Sequence, residues 1–124
     1  MSAACPCGST LAYDTCCGRY HAGEKAPDAP SLMRSRYSAF VRELPDYLLA
    51  TWHPSTRPAR LEPSETGLKW LGLELRRHAV IDDDHATVEF VARSKLAGRA
   101  QRQHEISRFV REDGRWFYVD GEMK

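Results

Sequence analysis

Beyond residue 17 this 124-residue chain contains no cysteine, so no disulfide or thiol chemistry is available to its remaining hundred-odd residues. No apolar run approaches the ~20 residues that a membrane-spanning helix requires, which predicts a soluble protein with no membrane role. An excess of one charge is missing too. Eighteen Lys and Arg stand against 17 Asp and Glu, for a net charge of +1, so no overall field draws the chain to nucleic acid. Internal repeats and low-complexity tracts are absent, which excludes solenoid architectures and long disordered tails. What remains is ordinary for one globular domain, with 42% hydrophobic and 28% charged residues, and the chain is long enough to bury a single core without staples.

The cysteine that is present is concentrated at Cys5, Cys7, Cys16 and Cys17. Four thiols packed this tightly suit one tetrahedral zinc ion held by four thiolates at about 2.3 Å, a shell with no open position for water or substrate. Cys5 and Cys7 straddle Pro6 and enter a turn at Gly8-Ser9; Cys16-Cys17 runs into Gly18. Tyr13, the one large aromatic inside the loop, is expected to anchor it, and amides near Gly8 and Gly18 to donate to sulfur. A disulfide framework is the alternative, but pairing Cys5 with Cys7 or Cys16 with Cys17 would close strained small rings. The motif begins at residue 5, too early for a signal peptide. The expectation is a reducing cytoplasm, where metal is favoured over disulfides. His21 could replace one thiol, although an ordinary surface histidine is the plainer reading.

Residues 19–30 carry Gly23, Pro27 and Pro30 and read as the passage out of the knob. The expected organisation is a zinc knob over 1–22, a linker over 23–30 and an α+β domain over 31–124. Ser31 is the expected N-cap of a helix to about residue 43, with Met33, Tyr37, Phe40, Val41 and Leu44 forming one apolar stripe and Arg34, Arg36 and Arg42 lying mostly off it. Pro45 suits the first turn of a shorter helix carrying Tyr47, Leu48, Leu49 and Trp52, which Pro54 stops. Ser64 could open a further helical turn with Leu68, Trp70 and Leu71. Then the period changes. Segments 75–82, 86–95, 102–111 and 115–120 are β-branched and aromatic, divided by turn signals at 82–84, 97–99 and Asp113-Gly114. Helices followed by an antiparallel meander predict an α+β fold, with helices packed on one face of a curved four-stranded antiparallel sheet.

Cys5-Pro6-Cys7-Gly8-Ser9 through Asp14-Thr15-Cys16-Cys17-Gly18 resembles the SEC-C motif, the zinc-binding tail of the preprotein-translocase motor ATPase. In that tail the last ligand is commonly His, where this chain has Cys17. The resemblance continues through Leu32-Met33-Arg34-Ser35-Arg36-Tyr37-Ser38-Ala39-Phe40, Asp46-Tyr47-Leu48, Thr51-Trp52-His53-Pro54 and Gly114 to Gly121. Together these look like the YchJ family of uncharacterised bacterial proteins. The resemblance implies an N-terminal SEC-C zinc site followed by a cystatin-like domain, the cone-shaped fold shared with nuclear transport factor 2. It brings no established activity.

In such a cone the residues to watch are Asp46, His53, Arg93, His104, Glu105 and Arg108, with Trp52, Trp70, Trp116 and Tyr118 as possible walls. Asp46 and His53 could form an acid–base pair, or serve only the dipole and exit of a helix. His104 and Arg108 share a strand face with Ile106 and Val110, which is either a pocket or the outer surface. Arg93, Lys95, Arg99 and Arg102 cluster at the Gly98 hairpin and could touch RNA phosphates, but no interleaved aromatics offer base stacking. The reading preferred from sequence is a non-enzymatic adaptor whose zinc knob docks a protein or ribonucleoprotein partner. The alternative is a small-molecule binder or acid–base enzyme using the concave pocket, with His53, Asp46 or His104 as its catalytic candidates.

Overall fold

The computed structural model describes residues 3–61 and 66–124. A small turn pairs Ala4 with Ala12 and leads through a 3-10 turn, Tyr13–Thr15, into α1, Cys17–His21. Two helices follow, α2 at Ala29–Val41 and α3 at Pro45–Ala50, and then four strands, β1 Lys69–Asp82, β2 His85–Leu96, β3 Arg99–Glu112 and β4 Arg115–Met123. The strands form one antiparallel sheet whose spatial order, β1-β2-β3-β4, is their order in the chain. The expected α+β architecture is present. No helix among the described residues is long and apolar enough to cross a membrane.

Helix α2 begins three residues earlier than expected. Asp28, not Ser31, is its N-cap, and the Asp28 carboxylate accepts the Ser31 N–H at 2.8 Å. Pro30 then falls in the first turn, where its missing N–H costs nothing. At the other end Glu43 takes a left-handed conformation, φ 56°, which stops the helix. The last two residues of the expected 23–30 linker, Ala29 and Pro30, belong to α2, and Ala29 is buried.

Two-residue turns connect the strands. At Ala97-Gly98 and Asp113-Gly114 both turn residues have positive φ, the twist that tight hairpins require. At the first hairpin the Asp84 N–H bonds the Asp82 carboxylate at 2.8 Å. Three irregularities interrupt the register of β1 against β2, between Trp70 and Gly72, Leu75 and Arg77, and Val80 and Asp82. Each adds local twist, so the sheet curls. The further helical turn expected from Ser64 has its start outside the described residues, and Trp70 and Leu71 open β1 instead. Trp70 pairs with Ser94 there, and its ring meets Tyr37 edge-on at 5.5 Å.

The core lies between α2 and the concave face of the sheet. Leu32, Met33 and Tyr37 pack with Ala86, Val88, Phe90, Ala92 and Phe109. Full burial stabilises the Leu and Met positions by about 1.5–3 kcal/mol each. The four cysteines belong to the same buried cluster. After α3 the chain attaches to the free edge of β4. His53 N–H donates to Tyr118 O at 2.7 Å, Tyr118 N–H to Thr51 O at 2.8 Å, and Thr56 Oγ1 to Val119 O at 2.6 Å. That edge is thereby partly shielded from pairing with another chain.

Candidate functional site

The cysteine loop is built by local hydrogen bonds. Cys5 N–H bonds Leu11 O at 2.9 Å, and Gly8 N–H bonds Cys5 O at 3.2 Å, turning the chain so that the first two thiols face the second two. All four sulfurs lie within 4.8 Å of one another and are buried. Cys7 and Cys16 sulfurs are 3.7 Å apart, far beyond a disulfide bond. A tetrahedron of sulfurs each 2.3 Å from its centre has edges of about 3.8 Å. The donor set therefore fits one metal ion with thiolate ligands.

The surroundings suit thiolates. Ser9 Oγ lies 3.1 Å from Cys16 Sγ, Ser38 Oγ lies 3.6 Å from Cys5 Sγ, and the Ser9 backbone N–H reaches Cys7. Of the amide donors expected at Gly8 and Gly18, the one the structure provides comes from Ser9. The Cys17 thiol, followed by the Ser9 donors, holds Cys7 down to about 4 against the opposing effect of burial. The same bond pushes Cys17 well above the ordinary thiol range, and burial raises Cys16. A metal ion would displace the remaining protons. Gly18 is needed for space, because a Cβ there would sit 2.7 Å from Tyr13 O.

The loop is fastened to the body rather than tethered. Arg34 Nη1 donates to Cys7 O at 3.1 Å, and the Arg42 guanidinium covers the Tyr13 ring at 4.0 Å. Tyr13 is the anchor the sequence suggested, and its partner is His21. The Tyr13 hydroxyl contacts His21 Nδ1 at 2.5 Å, and His21 Nε2 bonds Ser35 O at 2.8 Å. A carbonyl only accepts, so Nε2 carries the proton and Nδ1 accepts from the tyrosine. His21 is thus neither a surface histidine nor a member of the metal cluster.

Burial, the largest cause, lowers the His21 pKa below its usual 6.5. A depressed folded value means that its contribution to stability is present above pH 6.5 and is lost as pH falls through the folded value. Thermal melts should therefore show a steeper loss of Tm on acidification below pH 6.5 in the wild type than in His21→Gln. Parallel slopes would show that His21 takes up its proton equally in the folded and unfolded chains, against this reading.

The other residues singled out from sequence do not converge. Asp46 is exposed in the first turn of α3. His53 is engaged by Glu112 Oε2 at 2.7 Å and Ser55 Oγ at 2.7 Å, with its ring against Phe117. His104 bonds Glu89 Oε2 at 2.7 Å, on the strand face opposite buried Glu105, Ser107 and Phe109, so its side of β3 is the outer one. Arg108 pairs with Asp120 there. Arg93, Lys95, Arg99 and Arg102 are exposed around the β2–β3 hairpin, with Arg93 opposite Arg102 and 3.5 Å from Glu74.

The concave side does contain a cavity, of about 100 Å³, between α2 and the sheet. Of the expected residues, Glu105, Trp52 and Tyr118 line it; Asp46, His53 and His104 do not. Trp70 and Trp116 lie elsewhere, at separate surface recesses. Arg36, expected off the apolar stripe, is instead 3% exposed and lines the cavity. Met33, Arg36 and Phe40, spaced i, i+3 and i+7, all face this cavity, and that spacing was the available signal.

Known proteins resemble the chain over nearly its whole length. Residues 28–121 match the family described as YchJ, middle NTF2-like domain, and residues 1–19 match the SEC-C motif. A UPF0225 protein of Bordetella parapertussis is 62% identical over 98% of this chain and 94% of its own, and one of Methylibium petroleiphilum is 66% identical over 96% and 88%. The solution structure of a SEC-C motif containing protein from Rhodopseudomonas palustris superimposes with a TM-score of 0.84 at 32% identity, covering 98% of both chains. A crystal structure of a SEC-C motif containing protein from Psychrobacter arcticus gives 0.81 at 32% identity, over 97% of this chain and 82% of its own. The helices on a curled meander, the buried quartet of thiols and these matches agree: the chain belongs to the YchJ (UPF0225) family, joining a SEC-C motif to an NTF2-like domain.

Proposed function

We propose that Cys5, Cys7, Cys16 and Cys17 hold one structural zinc ion in a reducing cytoplasm, and that the loop around it is a docking surface for a protein partner. The observation carrying this reading is the sulfur geometry, a buried quartet spaced for a four-thiolate shell. Such a shell leaves the metal no site for substrate, so the useful product of binding is a fixed surface. Zinc is favoured over other ions because it accepts tetrahedral sulfur without a redox change. Leu11, at the outer turn of the loop, is 53% exposed. An apolar side chain presented on a rigid metal-bound turn suits insertion into a recess on a partner.

The test is affinity capture from cytoplasmic extract with the zinc-loaded wild type and with Leu11→Asp. The variant leaves the thiols and the core untouched, so its metal content and melting should match the wild type while partner recovery falls at least about tenfold. Recovery of the same proteins by both forms would refute docking at the loop, whatever the metal content shows.

A further inference from the structure

The cavity under α2 contains two opposite charges that do not touch. Arg36 enters from the helix, and one of its terminal nitrogens, Nη1, is committed to Leu48 O at 2.8 Å and Thr51 Oγ1 at 2.7 Å. Its guanidinium carbon lies 4.6 Å from the Tyr118 ring centroid and 5.3 Å from that of Trp52. Among the described residues Nε and Nη2 make no hydrogen bond, and no carboxylate lies within ion-pair distance. Burial is the main cause lowering the Arg36 pKa to about 10. On the sheet side stands Glu105, 9% exposed, accepting from the Ser107 hydroxyl and, at 3.4 Å, from Gln103 Nε2.

A buried cation and a buried carboxylate that face one space without closing on each other are each costly. A molecule carrying both complementary charges would satisfy both. We propose that this cavity is a binding site for a small α-amino acid or an equally compact zwitterion, with its carboxylate on the free edge of Arg36 and its ammonium on Glu105. The planar guanidinium offers two parallel donors to a carboxylate, and Glu105 accepts a charge-assisted bond from the ammonium. Met33, Phe40 and Phe90 supply an apolar wall for a short side chain. The volume sets the size. A cavity of about 150 Å³ accepts benzene, so about 100 Å³ suits the five or six heavy atoms of glycine or alanine and leaves no enclosed room for an aromatic side chain.

The experiment is an NMR titration of the full, metal-loaded chain at matched ionic strength, following the indole N–H of Trp52 and the amides of Ser107 and Tyr118. The probes are glycine, L-alanine, L-phenylalanine, acetate and methylammonium. Saturable shifts at these positions are expected with glycine and alanine, with affinities at least about tenfold above those of the single-charge probes and phenylalanine. Glu105→Gln, nearly isosteric, should weaken alanine at least about tenfold. Absence of a saturable shift with every probe would overturn the proposal. So would acetate matching alanine, which would make the cavity a plain anion site, or alanine binding unchanged in E105Q. If that variant fails to fold, the wild-type probe series decides alone.

Discussion

Withdrawing the proposed metal with a strong chelator, or replacing Cys7 with serine, is expected to unfold the sheet and helices as well as the cysteine loop. A structural four-thiolate zinc site contributes roughly 10–16 kcal/mol of binding free energy, while a whole domain is stable by only roughly 5–15 kcal/mol. Metal loss would stay local only if the loop were mechanically separate, and it is not. The sulfurs share one buried cluster with Leu32, Met33 and Tyr37 of α2 and with Val88 and Phe109 of the sheet. Ser38 and Arg34 bind the loop from the body side, and His21 ties α1 to Ser35 of α2. A loop on an independent tether, as the sequence reading had it, could be deleted and leave a folded body; deletion here would expose one whole side of α2. Two-dimensional NMR before and after chelation, with metal content measured in parallel, makes the check. Retention of dispersed β2 and β3 signals in the metal-free chain would show that the core stands without the ion. Acid should act in the same direction, because protons compete for sulfurs that must be thiolate to bind metal.

Gly121→Ala is expected to cost about 2–3 kcal/mol and to displace Glu105. A Cβ at position 121 would lie 2.3 Å from Glu105 Oε2, 2.5 Å from Cδ and 2.9 Å from Cγ. Nearly the whole carboxylate would have to move, and its bond with Ser107 would break. For a chain of this length the loss corresponds to a fall in Tm of about 6–15 °C. A double-mutant cycle identifies the cause. In a Glu105→Ala background the clash is gone, so adding Gly121→Ala should cost under about 1 kcal/mol. Additive penalties would place the strain in the β4 backbone rather than at the carboxylate.

Much of the fold was legible because it is written locally. Asp113-Gly114 requires only that two adjacent residues accept positive φ, and the alternation of Val88, Phe90 and Ala92 needs only a period of two. The thiols were legible because their chemistry depends on proximity along the chain. The helix was harder to read. Leu32, Met33, Ser35, Arg36, Tyr37, Ser38 and Ala39 are all buried, since α2 has the cysteine loop on one side and the sheet on the other. A helix covered on two sides has no single stripe, and a search for one placed Arg36 mostly off it. Ser35 and Ser38 carried the missing hint, small side chains that let neighbours approach closely. Strand β1 was read short because three bulges interrupt its alternation, making Leu68, Trp70 and Leu71 look helical. The concave cavity was legible in part, through Glu105, Trp52 and Tyr118, but not its Arg36, which comes from a helix 69 positions before Glu105 on the sheet.

The coincidence of chain order and spatial order in the sheet bears on how the protein is assembled during synthesis. Each strand emerging from the ribosome finds its neighbour already present, so pairing proceeds by short hairpin closures with little entropic delay. The amino-terminal thiols leave the tunnel first and are available to a metal while the carboxy-terminal half is still being made. The underside of α2 waits longest, because Tyr118, which covers Arg36 there, lies on the last strand to arrive.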